Sequence, residues 1–189
     1  KSAMKRIVIL ASGSGTLAQA IFDAHLEADI VAVISDQPDA AVLDRAHKVH
    51  IETFTIPMLP DRTEWDRELE TLIAALKPDL VVSAGFMRIL PERITRRFKI
   101  INSHPALLPL YPGAHAVRDA LAAGATETGT TIHWVDAGVD TGQVIAQERV
   151  EIHPEDTEES LHERIKIVER GLIVATIASL LPTLEKING

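Results

Sequence analysis

Four short apolar runs in the first half of the chain, residues 6–11, 29–35, 52–56 and 79–84, alternate with three longer stretches of helical periodicity at 17–26, 40–50 and 63–76. Apolar runs this short, with little polar alternation, read as strands buried on both faces, and such strands belong to parallel sheets covered by helices. Parallel neighbours require crossover connections, and the intervening helices supply them in the right-handed sense. Lys77-Pro78-Asp79 closes the third helix, because proline lacks an amide donor and disfavours helical backbone in its predecessor. The first half is therefore expected to be Rossmann-like.

After residue 113 the rhythm changes. A helix at 116–123 leads to β-rich runs at 128–135 and 143–152, and the short Gly/Asp loop between them predicts antiparallel neighbours. A long helix opens near Asp156-Thr157-Glu158-Glu159, where early carboxylates suit the positive helix end, and Leu161, Ile165, Val168 and Leu172 mark its buried stripe. The expected fold class is α/β: a mostly parallel twisted sheet with helices on both faces and an antiparallel C-terminal β portion. At 189 residues and 46% hydrophobic content the chain fits one domain, expected over residues 4–189, with Lys1-Ser2-Ala3 read as a cloning remnant.

The formal charge of −8 argues against a surface that wraps nucleic acid or coats an anionic membrane. No apolar run approaches the ~18 residues of a membrane span, and the N-terminus lacks a signal-peptide pattern. There is no cysteine, hence no disulfide, thiol nucleophile or thiolate metal site, which fits a cytoplasmic protein. His104, His115 and His133 lack the spacing of a His-Glu-x-x-His zinc site, and no metal is expected.

Chemistry concentrates at Asn102-Ser103-His104-Pro105, after the strand-like run 98–101. An amide and an imidazole at i and i+2 of an extended segment project to one side and can reach one atom. Asn102 is a neutral donor and acceptor, and His104 carries a proton near physiological pH, a pairing suited to stabilising a developing oxyanion. A strand end whose polar groups are satisfied by turn backbone is the alternative. The loop Ser12-Gly13-Ser14-Gly15-Thr16 before a helix can cradle a phosphate or be a tight turn; it lacks the third glycine of a dinucleotide fingerprint and the Gly-Lys-Ser/Thr of a P-loop. Asp36, ending the second run, keeps a dinucleotide reading open. Asp136 and Asp140 flank a Gly-containing loop after His133, where a carboxylate can orient an imidazole or bond local backbone. Glu169 falls inside the apolar stripe of the last helix, so it has a partner, lines a cleft or sits at a solvated edge.

Taken together, Ser12-Gly13-Ser14-Gly15, Gly85-Phe86-Met87-Arg88-Ile89-Leu90, Asn102-Ser103-His104-Pro105-Ala106-Leu107-Leu108-Pro109, Tyr111-Pro112-Gly113 and His133-x-x-Asp136-x-x-x-Asp140-x-Gly142 resemble the phosphoribosylglycinamide formyltransferases, a branch of the folate-dependent formyltransferases. The resemblance spans nearly the whole chain, which has no room for the additional domains of the methionyl-tRNA formyltransferases or the formyltetrahydrofolate hydrolases. It implies formyl transfer from 10-formyltetrahydrofolate to the amine of glycinamide ribonucleotide, with small-molecule partners only and a homodimer left open. By the same resemblance Asn102 and protonated His104 hold the tetrahedral oxyanion, and Asp140 supports the imidazole and assists proton movement. Gly15, Thr16 and Leu17 match the phosphate loop, Met87 and Glu169 match contacts to the rest of the ribonucleotide, and Arg62, Arg88, Ile89 and Leu90 match folate contacts. Asn102, Asp136, Val139 and Asp140 also fall on the folate side, where carbonyls of 136–140 would read the pterin edge. The chain departs from the family pattern at Leu17, Ala106, Leu110 and Val117, where Asn, Ser, a basic residue and His are frequent. A relative that formylates another amine, such as an amino sugar nucleotide, and a non-catalytic nucleotide-binding module are the rival readings.

Overall fold

The computed structural model describes residues 4–185, so the remnant read at 1–3 and the last four residues of the expected domain, 186–189, lie outside the described residues. Five parallel strands, β1 (Lys5–Leu10), β2 (Ala28–Ser35), β3 (Thr53–Thr55), β4 (Leu80–Ser83) and β5 (Ile100–His104), are continued by antiparallel β6 (Glu127–Trp134) and β7 (Val144–Glu151). They form one sheet in the order β3-β2-β1-β4-β5-β6-β7. Six α-helices accompany them among the described residues: α1 (Thr16–Asp23), α2 (Ala41–Lys48), α3 (Arg62–Leu76), α4 (Glu92–Arg97), α5 (Ala116–Ala122) and α6 (Glu158–Leu180). The expected α/β class with its antiparallel portion is borne out. None of the described helices is long and apolar enough to cross a membrane.

Alternation along β1 divides the core into two layers. Ile7 and Ile9 pack with Ile21 of α1 and Ile173 and Ile177 of α6, whereas Val8 and Leu10 pack with Trp65, Leu69 and Ile73 of α3. In β5, Ile101 belongs to the first layer and Ile100 to the second. Ser103 thus shares the α6 face, and Asn102 and His104 share the other. Because β2 and β3 lie on one side of β1 and β4 and β5 on the other, the connections diverge at the carboxyl ends of β1 and β4. This is the switch point at which open α/β sheets leave a crevice.

Caps fix the ends of the longer helices. Asp61 accepts the Thr63 amide at 2.9 Å to start α3, and Thr157 and Ser160 form a reciprocal capping box on α6. Leu161 and Ile165 are fully buried, while Val168 and Leu172 are half-buried and the stripe continues at Ile173 and Ile177. The drift follows from 3.6 residues per turn acting over a 23-residue helix. Two elements differ from the expectation. The strand predicted at 98–101 instead runs Ile100–His104, because Asn102 and His104 pair across β6 with His133 and Thr131. The short helix α4 had no apolar period to announce it: Ile94 is its one buried residue, and Arg93 and Arg97 hold Glu70 of α3 at 2.5 and 3.2 Å.

Candidate active site

A cleft of about 470 Å³ opens at the switch point, in the size range of small-molecule sites. Its floor at one end is the loop after β1. Gly15 caps α1 with φ 79°, and a Cβ there would lie 2.6 Å from the Val42 side chain and 2.7 Å from its Cα. Glycine is therefore required both by conformation and by the approach of α2. The Val42 amide donates to the Gly13 carbonyl at 3.1 Å and Arg45 Nε to the Ser14 carbonyl at 2.7 Å, pinning the loop from behind. No side chain caps α1, and Gly15, Thr16 and Leu17 at its start line the cleft. The Leu17 side chain is buried in the core, so its backbone is what faces a ligand.

The segment after β4 forms one wall and is tied to the loop through Asp36. Ser12 Oγ donates to Asp36 Oδ1 at 2.6 Å and accepts the Met87 amide at 2.9 Å, while Arg88 Nε donates to Asp36 Oδ2 at 2.7 Å. With both oxygens engaged and its side chain fully buried, Asp36 has no free face for a ribose, which closes the dinucleotide reading. Burial pushes the Asp36 carboxyl up, but the Ser12 and Arg88 hydrogen bonds outweigh it and hold the group below the usual range. Met87 and Ile89 stand exposed at the lip, and the Leu90 side chain turns into the core beside α3. Arg62 sits behind this wall, stacked 4.8 Å over Trp65, paired with Asp66 at 2.8 Å and donating to the Ile89 carbonyl.

Asp36→Asn is expected to keep the shape and remove the charge opposite Arg88, costing about 1–3 kcal/mol. The lower part of that scale applies because Arg88 is one-third exposed and recovers solvent. Since the folded carboxyl titrates below its unfolded value, the pair stabilises the protein above about pH 4 and is lost as pH falls through the lowered value. Denaturant unfolding at neutral and acid pH checks this, because Asp36→Asn should flatten that acid loss.

Opposite the loop, three side chains converge. His104 Nε2 lies 2.8 Å from the Tyr111 carbonyl and Nδ1 lies 3.3 Å from Asp140 Oδ2, so its two nitrogens face two acceptors and the imidazolium can donate to both. His133 Nδ1–H donates to the Trp134 carbonyl at 2.9 Å, and its Nε2 faces both Asn102 Nδ2 at 3.2 Å and Asp140 Oδ1 at 3.5 Å. The remaining amide hydrogen and carbonyl oxygen of Asn102 are left for the cleft. Asp140 adopts φ 55°, a left-handed conformation that costs a non-glycine residue about 1 kcal/mol. It is held there by the Gly113 amide at 2.8 Å, and a Cβ at Gly142 two residues on would fall 1.6 Å from the Trp134 carbonyl. Burial raises the Asp140 carboxyl, but His133, the Gly113 amide and His104 together bring it below the usual range. Asp136 is satisfied within its own loop by Thr141 Oγ1 at 2.7 Å and the Gly138 amide at 2.9 Å, beside exposed Val139.

The last wall is α6. Glu169 accepts from Ser103 Oγ at 2.5 Å, and burial pushes its carboxyl above the usual range despite that bond and nearby Lys166 and Arg170. His162 and Lys166 line the cleft beside it. Neither was singled out for this site by sequence reasoning, although their i, i+4, i+7 spacing with Glu169 is the signal that would have found them. The candidate residues thus share one cleft, except Arg62, which reaches it through Ile89.

The model of the formyl transferase family matches residues 5–177. The chain belongs to this family. Among formyltransferases it is 47% identical over 95% of its length to the phosphoribosylglycinamide formyltransferase of Mycobacterium tuberculosis, of which it covers 86%. It is 41% identical to the trifunctional purine biosynthetic protein adenosine-3 of Drosophila melanogaster over 93% of this chain, covering 14% of that longer protein. The crystal structure of glycinamide ribonucleotide transformylase 1 from Symbiobacterium toebii superposes with a TM-score of 0.93 at 37% identity, covering 97% of this chain and 90% of that one.

Proposed function

We propose that this formyltransferase moves the formyl group of 10-formyltetrahydrofolate onto the amine of glycinamide ribonucleotide, giving N-formylglycinamide ribonucleotide for purine biosynthesis in the cytoplasm. The observation that carries the reading is the convergence of Asn102, His104 and Asp140 in a cleft whose far end is a glycine loop opening a helix that no side chain caps. A phosphate held by Gly15, Thr16 and Leu17 projects its ribose past Met87 and Glu169 and its amine toward Asn102 and His104. The donor takes the side lined by Arg88, Ile89, Leu90 and the 136–140 loop, with Arg62 behind. There, the internally satisfied Asp136 and the core-facing Leu90 leave backbone groups to read a polar ring edge.

During amine attack negative charge grows on the formyl oxygen. Asn102 Nδ2 and His104 are the donors placed to meet it, and His104 Nε2–H, held by the Tyr111 carbonyl in this state, is the proton for which that oxygen competes. Asp140, kept ionised by its surroundings, stabilises the imidazolium and draws the amine proton away through water; collapse of the tetrahedral adduct then breaks the bond from the formyl carbon to N10 of the folate, which takes up a proton as it leaves. A turnover assay with 10-formyltetrahydrofolate and a panel of amines tests the reading. Formylation of glycinamide ribonucleotide is expected. Preference for an amino sugar nucleotide would replace the acceptor, and binding of both ligands without turnover would make the chain a binding module.

Glu169→Gln should raise the acceptor KM about tenfold through loss of a charge-assisted hydrogen bond to the ribonucleotide, with donor KM little changed. Because burial raises the Glu169 carboxyl, falling pH protonates it from above the usual glutamate range and weakens acceptor binding. That acid limb should vanish in Glu169→Gln, and steady-state kinetics across pH read both effects.

A further inference from the structure

We infer that Ser103, between the two proposed catalytic residues of β5, is a positioning residue for the acceptor that acts by fixing the Glu169 carboxylate. The inference rests on the proposed role of Glu169 and deepens it. Ser103 points to the α6 face of β5, as Ile101 does, while Asn102 and His104 point to the other. Its hydroxyl lies 2.5 Å from Glu169 Oε2 and 3.4 Å from the buried Thr130 Oγ1 of β6. One proton per hydroxyl orders this row: Thr130 gives to Ser103, and Ser103 gives to the carboxylate. Oε2 is thereby occupied and Oε1 is left to meet a sugar hydroxyl.

Two consequences follow from this geometry. A glutamate has three side-chain torsions, and holding it before the ligand arrives removes part of the ordering cost of binding. Anchoring it to residue 103 also sets the distance between sugar contact and reacting centre through a single strand, because residues 102 and 104 flank the anchor. The charged groups acting on Glu169 are Lys166 and Arg170 of its own helix. His162 of α6, His104 of β5, His133 of β6 and Asp140 line the same cleft, and α1 contributes uncharged Thr16 and Leu17.

The test compares Ser103→Ala, Ser103→Thr, Glu169→Gln and the Ser103→Ala/Glu169→Gln double variant by steady-state kinetics with both substrates across pH. Ser103→Ala should raise acceptor KM about tenfold, as expected for a hydrogen bond to a charged group, while kcat and donor KM stay within about twofold. Loss of a donor to the carboxylate moves the acid limb of acceptor kcat/KM to higher pH. Ser103→Thr should restore both, and the double variant should be no worse than Glu169→Gln alone. Equal changes in kcat and donor KM, or no change in acceptor KM, overturn the assignment, and Ser103→Thr supplies the folded comparison if Ser103→Ala is unstable. If Glu169→Gln leaves acceptor KM unchanged, the role of Glu169 falls and that of Ser103 with it; if only Ser103→Ala is silent, the role of Glu169 stands.

Discussion

Alanine at His104 is expected to lower kcat by about 100-fold or more, the usual cost of losing one donor to a developing oxyanion, with acceptor KM within a few-fold of the parent. Asp140→Ala should do the same. The two side chains share a contact at 3.3 Å, and Asp140 also receives the Gly113 amide, so each variant disables the same charge arrangement. The double variant should therefore lose less than the product of the single losses. Asp140→Asn separates charge from shape: it keeps the left-handed turn and the Gly113 contact but leaves the imidazolium without its counter-charge. Single-turnover kinetics should place the loss in the chemical step. Near-normal turnover in His104→Ala and Asp140→Ala would make both residues structural, and the oxyanion mechanism would have to be abandoned.

The strands and long helices were legible because each carries its own period: the buried runs of β1, β2 and β4, and the capped apolar face of α3, need no distant partner to be read. The same holds for the convergence of Asn102 and His104, which needs only the two-residue repeat of a strand. What escaped depends on residues far apart in the chain. Ser103 and Glu169 are 66 residues apart, and the packing of α6 against the sheet makes them neighbours. The dinucleotide reading stayed open at Asp36 because its partners Ser12 and Arg88 lie on other loops, 24 and 52 residues away. Helix α4, with four of its six residues charged and one apolar, had no period to show. His133 could be placed beside Asp140 by motif, yet its link to Asn102 follows from β5–β6 register, which periodicity leaves open.

Side chains at Gly15 should have the other large effect, on acceptor binding. The residue holds φ 79°, where an L-residue costs roughly 1–2 kcal/mol, and an added Cβ would meet Val42 at 2.6 Å. The nearby Val42 Cα belongs to α2 and cannot rotate away, so relief must come from moving the loop. Overpacking of this kind adds roughly 1–3 kcal/mol. A loop that moves withdraws the amides of residues 15–17 from the phosphate they are proposed to hold. Gly15→Val should therefore raise acceptor KM on the order of 100-fold, since several charge-assisted hydrogen bonds are lost together. Donor KM, measured well below the lowered melting temperature, should change little. Gly13→Ala serves as the folding comparison, because a Cβ there meets nothing within 4 Å, and its melting temperature should stay near the parent's. Acceptor affinity that survives Gly15→Val while donor affinity falls would move the phosphate away from this loop, and with it the orientation in which the amine reaches Asn102 and His104.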